Sequence, residues 1–560
     1  MTALPDLAFI VTCMGRLRHL QQSLPRLAKQ AGTECILVDY SCPDRCGAWA
    51  EAAFPGVRVV RVPGQRTFNL ARARNAGAAA AAARWLCFVD ADVLVSARFA
   101  EALRPLLQPR LLLRASPLTP ELWGTHVVPT EDLRRVGGYD ECFEGWGGED
   151  VDFFARLGDA GCGSAAFPAW LVEALGHDDE ARVRFHDVKD RQLSRHVNTL
   201  YRHAKQDMGR ISGAYLSEEV RRALHREAGR ALSGGPGRLS VGLGRRNLTE
   251  DMAMEVRLEY TLMRREPVSP PPAPEPLPPP APFIVGTGDC GSTLLRLMLD
   301  RHPDLAVASD THFLSDLMQI WNDVPQAVGP MFARLVADPG WPAYGIEAED
   351  LAARLRDDRI GDPGSFLRAF YGRHAASQGK TRWGDRTLDH LAHMVRLAEW
   401  LPEARFIHLV RDGRDVAGAG RTTVENPPPA AATASRWAAT LGVARAFNPG
   451  PDRYLEIRYE DLVAAPEATL RRICGFIDLP WHSALLEYGR IAPARIAETE
   501  SLARRGGPPA ALLRRQYLQS AGSPDAAGIG AWRQSLSQEE QEQFRLLAGP
   551  LLDSLGYPTD

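Results

Sequence analysis

Asp90 and Asp92 stand one residue apart in "LCFVDADVLVS", at the point where an apolar run ends. Carboxylates that converge at the carboxyl end of a strand make a hard oxygen site, suited to Mn²⁺ or Mg²⁺ bridging a diphosphate. An Asp-x-Asp by itself is common in solvated loops, so the pair needs support from elsewhere in the chain. The stretch "YDECFEGWGGEDVDFFARL" offers it: glycines surround Trp146, and Glu149, Asp150 and Asp152 open an apolar helical run. Gly147 and Gly148 permit close approach of the backbone, and acids suit a helix N-terminus. A carboxylate there could take the proton of a sugar hydroxyl while the sugar ring stacks on the tryptophan. Simple helix capping also explains such acids, Asp152 above all.

A second set of residues lies in "FIVGTGDCGSTLLRLML", Phe283 to Leu299, where an apolar strand runs into glycines and then into a helix. Gly286 and Gly291 have the separation of the first and last glycines of an ATP-binding P-loop. The lysine that follows in such a loop is replaced by Ser292, with Thr293 next. Amides at the start of the helix can still cradle one phosphate. Chemistry at a γ-phosphate lacks its cation, so an ordinary NTPase is disfavoured.

The elements that must position these residues alternate along the first half. "LAFIVTC", "ECILVDY", "VRVVRVP" and "WLCFVDAD" are short β-rich runs, and "LRHLQQSLPRLAKQ" and "FNLARARNAGAAAAAAR" between them have helical periodicity. That alternation predicts an α/β fold with a mostly parallel sheet and helices on both faces. From about residue 187 to 265 the chain turns helical and polar, with few strand candidates. We therefore expect a first domain over 1–190, and a helical extension packed on it over 191–265. The tract "REPVSPPPAPEPLPPPAP" cannot build a helix or a sheet ladder and prefers extended polyproline II. It reads as a semi-rigid spacer over 266–282, less readily as an SH3-type ligand. The second half, 283–560, is again α/β, with "ARFIHLVRDGRDV" a strand–turn–helix and "RYLEIRYEDL" a strand ending in acids.

Composition narrows the function classes. With 560 residues the chain needs two or three domains, and 45% hydrophobic with 24% charged residues is the mix of a globular protein. A formal net charge of −3 gives no whole-chain reason to expect a nucleic acid or an anionic membrane. The N-terminal stretch has neither a basic n-region nor an apolar h-region, and no run approaches the ~20 apolar residues of a membrane span. The nine cysteines are scattered; Cys42 and Cys46 in "CPDRC" lack a second pair at zinc-finger spacing. Free thiols in a cytoplasmic protein are expected.

Taken in order, "FIVTCMGR", "LVDYSCPD", "FNLARARNAGA", "FVDAD" and "FEGWGGEDVDF" make residues 7–187 resemble a GT-A glycosyltransferase of the family 2 type, joined to the C-terminal motif of the galactosyltransferases. The resemblance implies that Asp39 reads the base of a nucleotide-sugar, UDP-linked in expectation. Asp90 and Asp92 would hold a metal and its diphosphate. Asp150 would be the base of an inverting transfer, with Glu149 and Trp146 against the acceptor. A metal-binding histidine usually follows, and "EALGHDDEARVRFHDVKD" offers His177, preferred here, and His186; imidazole favours Mn²⁺ over Mg²⁺. Arg66 and Arg72 are candidates for phosphate or base contacts.

"GTGDCGSTLLRLMLDRHPDLAVASDTHFL", "RWGDRTLDHLAHMVRLAEWLPEARFIHLVRDGRDV", "IRYEDLVAAPEATLRRICGFIDLP" and "GIGAWRQSL" together resemble a sulfotransferase that uses PAPS, 3′-phosphoadenosine 5′-phosphosulfate. The resemblance implies that Gly286, Gly288, Gly291, Ser292 and Thr293 take the 5′ side. Arg411 would take the 3′-phosphate through a charge-assisted contact. Asp310, or else the neighbouring His312, would be the base. Arg386 stands where the family often has lysine and would stabilise the moving sulfuryl charge. Two positions depart from the family: Asp289 replaces a basic residue in the loop, and Ala419 replaces a serine after the "RDGRD" motif.

The expected function is thus a bifunctional, carbohydrate-modifying transferase. One domain transfers a sugar to a glycan or other hydroxyl, and the other transfers a sulfuryl group from PAPS. Peripheral membrane association through a lipid-linked acceptor is compatible with this. The alternative is an active glycosyltransferase whose C-terminal domain only binds a nucleotide or a glycan. A scaffold in which neither site turns over is opposed by the complete Asp90/Asp92 and Glu149/Asp150 sets.

Overall fold

The computed structural model describes residues 5–176, 183–213, 215–233, 237–247, 253–262, 277–309, 311–323, 327–423, 427–447, 450–490, 522 and 526–558. The chain divides into two compact units, Met1–Ser269 and Pro270–Asp560. Most of the proline tract, 263–276, lies outside the described residues.

In the first unit nine strands precede the extension: β1 (Leu7–Cys13), β2 (Thr33–Asp39), β3 (Arg58–Arg61), β4 (Trp85–Asp90), β5 (Val93–Val95), β6 (Leu111–Ser116), β7 (His126–Pro129), β8 (Gly163–Pro168) and β9 (Val172–Ala174). Seven form one sheet in the order β3-β2-β1-β4-β7-β6-β8. Strands β3, β2, β1 and β4 run parallel, whereas β7 runs antiparallel to both β4 and β6. The winding reverses between β1 and β4, and ligands of open α/β sheets gather outside the carboxyl ends at such a switch point. Cys13 and Asp90 end those two strands, and Asp39 ends β2 beside them.

The helices α1 (Leu17–Ala28), α2 (Cys46–Ala53) and α3 (Leu70–Ala80) cross between these strands. Asn69 caps α3 by accepting from the Arg72 amide at 2.8 Å. The small residues of α3 have a packing reason. A Cβ on Gly77 would sit 2.5 Å from Ile10 Cγ2 and 2.9 Å from Val38 Cγ2, so the helix lies directly on β1 and β2.

Helix α4 (Glu149–Asp159) follows the glycine-rich turn, and α5 (Arg191–Ser212) and α6 (Glu218–Ser233) form the extension. The extension is not helical throughout. Strands β10 (Arg238–Asn247) and β11 (Ala253–Thr261) make an antiparallel hairpin with a bulge at Gly242–Gly244. Its alternate residues Leu239, Val241, Leu258 and Tyr260 pack with Leu200, Tyr201 and Ala204 of α5 and with Cys142 and Phe143. One apolar face is enough to hold a strand whose other face is charged.

The second unit has a five-stranded parallel sheet: β12 (Ala281–Gly286), β13 (Leu305–Ser309), β14 (Arg382–Arg386), β15 (Ala404–Val410) and β16 (Tyr454–Arg458), in the order β13-β14-β12-β15-β16. Strand β12 starts at Ala281, two residues inside the tract read as linker. Its alternation divides the core: Phe283 and Val285 face one apolar cluster, Ile284 the other. Helices α7 (Ser292–Asp300) and α8 (Gly413–Thr423) begin just after β12 and β15.

Candidate functional site

In the first unit the acids meet around an arginine that the sequence reading had passed over. Arg74 of α3 is 1% exposed. Its Nη1 donates to Asp150 Oδ1 at 2.5 Å, and its Nη2 donates to Asp90 Oδ1 at 3.1 Å and to the Gly124 carbonyl at 3.2 Å. One guanidinium thus joins the first acid of the Asp-x-Asp pair to the candidate base. Gly124 is needed here, because a Cβ would fall 2.0 Å from Asp90 Oδ2. The second acid, Asp92, is buried and accepts from Arg16 Nη1 at 2.7 Å. Each carboxylate of the Asp-x-Asp pair is therefore held by its own arginine, Asp90 by Arg74 and Asp92 by Arg16. Arg16 holds Asp92 from a half-buried position where a cation would compete with it.

Glu149 and Asp150 open α4, after Gly145, Gly147 and Gly148 with φ of 79°, 83° and 101°. Left-handed backbone of that kind favours glycine, so the turn fixes where the acids enter the helix. Burial pushes the Asp150 carboxyl up, and Arg74 pulls it the other way. Burial and the neighbouring Asp150 push Glu149 up as well. A carboxyl poised nearer neutrality is what a general base requires. Asp152 has a different part. It is fully buried, bonded to Arg156 Nε at 2.9 Å and paired with Lys205 of α5. Lys205 also reaches Asp140 Oδ2 at 2.8 Å, with Tyr201 and Arg221 on the same carboxylate. Burial raises Asp140, and these partners more than offset it, so it stays below the ordinary carboxylate range.

The extension supports the turn itself. Ser194 Oγ accepts from the Trp146 amide at 2.7 Å, and Asn198 Nδ2 donates to the Gly147 carbonyl at 2.6 Å. The Arg191 guanidinium lies 4.1 Å from the Trp146 ring centroid, and the ring is half-buried. Asp39 accepts from the Cys42 amide at 2.9 Å and the Gly47 amide at 3.2 Å, which folds the loop after β2 around its carboxylate. Arg72 donates to Glu141 Oε2 at 3.0 Å and to Gln65 Oε1 at 3.4 Å. The structure therefore gives Arg72 neighbours other than the Asp90–Asp150 group. His177 lies outside the described residues; Leu175, two residues earlier, donates its amide to the Asp92 carbonyl at 2.7 Å. His186 is buried against Phe68, and burial lowers its pKa.

In the second unit the loop after β12 follows the P-loop pattern. A Cβ on Gly286 would lie 2.7 Å from the Leu409 carbonyl, and Gly291 has φ +92° with its open side against the Tyr459 ring. Gly288 is exposed, with open space where a Cβ would stand. Arg386, at the end of β14, donates from Nε to Ser292 Oγ at 3.1 Å and from Nη2 to Thr293 Oγ1 at 2.9 Å. It brings a cation to the helix start, where a P-loop would have its lysine. Arg411, after β15, donates to the Asp289 carbonyl and the Gly528 carbonyl, both at 3.0 Å, and lies over the Tyr459 ring. It thereby clamps the loop to the "GIGAW" segment, and Asp415 holds that segment through the Gly530 and Trp532 amides at 2.7 and 2.9 Å. Asp289 takes a left-handed φ of 57°. Burial raises its carboxyl, while Arg411 and Arg436 act in the opposite direction.

Asp310 lies outside the described residues. The next residue is firmly placed: the Thr311 amide donates to Thr387 Oγ1 at 2.9 Å, and its hydroxyl donates to buried Asp385 at 2.8 Å. His312 is on the surface with Nδ1 2.9 Å from Asp389 Oδ2. Ala419 sits in α8.

Both groups of residues lie within segments that match transferase families. Residues 8–110 match glycosyl transferase family 2, residues 119–183 match the family described as the N-terminal domain of galactosyltransferase, and residues 280–483 match the sulfotransferase family. The second match covers the turn read above as the galactosyltransferases' C-terminal motif. Among curated proteins, protein-tyrosine sulfotransferase 1 of Danio rerio is 25% identical over 289 residues, covering 49% of this chain and 71% of that protein. Nodulation protein NoeE of Sinorhizobium fredii is 25% identical over 298 residues, covering 49% of this chain and 65% of that protein. Among solved structures, mannosyltransferase PcManGT of Pyrobaculum calidifontis, in complex with GDP-Man and Mn²⁺, covers 42% of this chain and is itself 77% covered, at 18% identity and a TM-score of 0.28. The chain thus carries matches to glycosyltransferase families in its first half and to the sulfotransferase family in its second, and those families are transferases.

Proposed function

We propose that the first unit carries out a metal-dependent, inverting sugar transfer from a UDP-sugar to a hydroxyl, and that the second sulfates a hydroxyl from PAPS. The observation that supports the first half is the pair of bonds from Arg74 to Asp90 and Asp150, the acid we assign to the metal and the acid we assign as base. Asp90 and Asp92 would hold the cation, Mn²⁺ in preference, with His177 as the further ligand. The cation would neutralise the departing diphosphate. Arg16, which pairs with Asp92, would lie beside the diphosphate and could add its charge there. Asp150 Oδ accepts the proton of the acceptor hydroxyl as its oxygen attacks the anomeric carbon, and Glu149 and Trp146 orient that acceptor. Asp39 and the loop it organises would take the base, with Arg72 near it.

In the second unit the donor set suits a phosphosulfate. Helix-start amides, two hydroxyls and Arg386 converge on one spot, so Arg386 would stabilise the charge that develops on the moving sulfuryl group. Asp310 would take the acceptor proton. Arg411 would reach the 3′-phosphate with the loop it clamps. Direct bonding of Arg386 to Ser292 and Thr293 speaks for a catalytic site rather than a binding module. A glycan acceptor, and sulfation of the first unit's own product in a cytoplasmic setting, completes the reading; all nine cysteines are free, as a reducing compartment would leave them. Among the described residues no helix is long and apolar enough to cross a membrane.

The test is a screen of UDP-sugars for Mn²⁺-dependent turnover by the full chain, with Asp92→Ala beside it. Turnover that depends on Mn²⁺ and disappears in the variant supports the assignment. Undiminished turnover in the variant overturns the metal site.

A further inference from the structure

Three cysteines from two distant stretches of the first unit meet at the carboxyl edge of its sheet. Cys13 ends β1, Cys42 lies in the loop after β2, and Cys46 opens α2. All three are buried, and their sulfurs lie within 4.8 Å of one another. Cys13 Sγ and Cys42 Sγ are 4.0 Å apart, across 29 positions of sequence. The short "CPDRC" spacing reads as free thiols because its third member comes from another strand.

We propose that Cys13, Cys42 and Cys46 form a thiolate site for one divalent cation of borderline softness, zinc being the best match. Thiolates around a tetrahedral zinc stand about 3.8 Å apart, given a Zn–S bond of about 2.3 Å. The closest pair is nearly at that spacing, and small side-chain rotations bring in the third. The Gly15 amide donates to Cys42 Sγ at 3.2 Å, a contact that also suits a metal-bound thiolate. On binding, three Zn–S bonds form, each S–H bond breaks and its proton leaves to solvent. Cys42 retains 8% exposure, a route for a water in the fourth position.

The site would act on the donor pocket by fixing its loops. Asp39 is bonded to the amides of Cys42 and Gly47, each next to or part of the cluster. Gly15 binds Cys42 Sγ, and the following residue, Arg16, pairs with Asp92. A metal on the three sulfurs ties β1, the loop after β2 and α2 at one point between Asp39 and Arg16. This inference rests on the fold of the first unit and is independent of the transfer reaction.

The test uses the reduced, metal-free full chain titrated with Co²⁺ and, separately, Zn²⁺. Expected are a thiolate-to-cobalt absorption band that saturates at roughly one equivalent, and release of protons that saturates with it. Zinc displaces the band. Cys46→Ser abolishes it; Cys87→Ser, a buried thiol of β4 outside the cluster, and Asp92→Ala retain it. Because Cys46→Ser could unfold the unit, the wild-type titration stands as the deciding measurement. A titration with no thiolate band, a band lost in Cys87→Ser, or a Cys13–Cys42 disulfide forming in place of metal binding overturns the proposal.

Discussion

Replacing Arg74 by methionine keeps most of the side chain's volume and removes its charge from between two acids. Arg74 is 1% exposed, with Nη atoms 2.5 and 3.1 Å from Asp150 and Asp90. Two opposite charges about 4 Å apart attract by about 4 kcal/mol at the effective dielectric that suits such pairs. Water entering the site will recover part of this, leaving roughly 2–4 kcal/mol against the ionised form of Asp150. The sign follows from what remains: burial and Asp90 push the Asp150 carboxyl up, and the group that pulls it down is gone. The base is then protonated to a higher pH. The acid limb of the kcat/KM pH profile should move upward by about 1.5 to 3 pH units, with the loss at lower pH largely recovered in alkaline buffer. Arg74→Lys should recover part of the loss at neutral pH. The assay is the pH dependence of kcat/KM for UDP-sugar turnover, each variant first checked for a cooperative unfolding transition. A folded Arg74→Met enzyme whose loss is the same at every pH would refute the reasoning, since Arg74 would then merely hold the fold.

Three further outcomes follow from the same contacts. Lys205→Met strips a cation from two fully buried carboxylates that keep other partners, so urea denaturation should show the first unit weaker by about 3 kcal/mol; an unchanged midpoint would deny that network its role. Glu149 has a folded pKa above its unfolded value, so its contribution is complete below the unfolded value and is lost as pH rises toward the raised one. Melting temperature across mildly acidic to mildly alkaline buffers should therefore fall less steeply in Glu149→Gln than in the wild type, and parallel curves would contradict the burial argument. Asp289→Asn removes a carboxylate from the candidate phosphate loop. It should tighten binding of 3′,5′-ADP by about fivefold, or about 1 kcal/mol, measured calorimetrically; weaker binding would mean that Asp289 is needed to hold Arg411 and Arg436 in place.

Much of the fold is legible in the sequence because local pattern and burial agree. The run "LAFIVTC" is β1 residue for residue and is buried along its length, as an interior parallel strand must be. The acids, too, were readable, since strand ends and helix starts are where the pattern changes. What escaped was whatever depends on which face a residue takes. Arg66, Arg72 and Arg74 look alike in sequence, yet only the fold turns Arg74 inward onto Asp90 and Asp150. Its signal was a charge inside an alanine-rich helix that must lie flat on the sheet. The hairpin at 238–261 was hidden because Ser240, Gly242, Arg257 and Glu259 are poor strand formers, although Leu239, Val241, Leu258 and Tyr260 alternate with them as a strand's inner face does. Cys13 lay too far from "CPDRC" for spacing to connect them.

The central claim is that one chain holds two separate donor sites. It is tested most directly by calorimetric titration of the full chain with UDP in the presence of Mn²⁺ and with 3′,5′-ADP, alone and one after the other. Each ligand should bind at roughly one equivalent whether or not the other is present, with Asp92→Ala losing only the UDP isotherm and Arg386→Met weakening only that of 3′,5′-ADP. Absence of heat from 3′,5′-ADP at millimolar concentration, or displacement of one ligand by the other, would contradict the account.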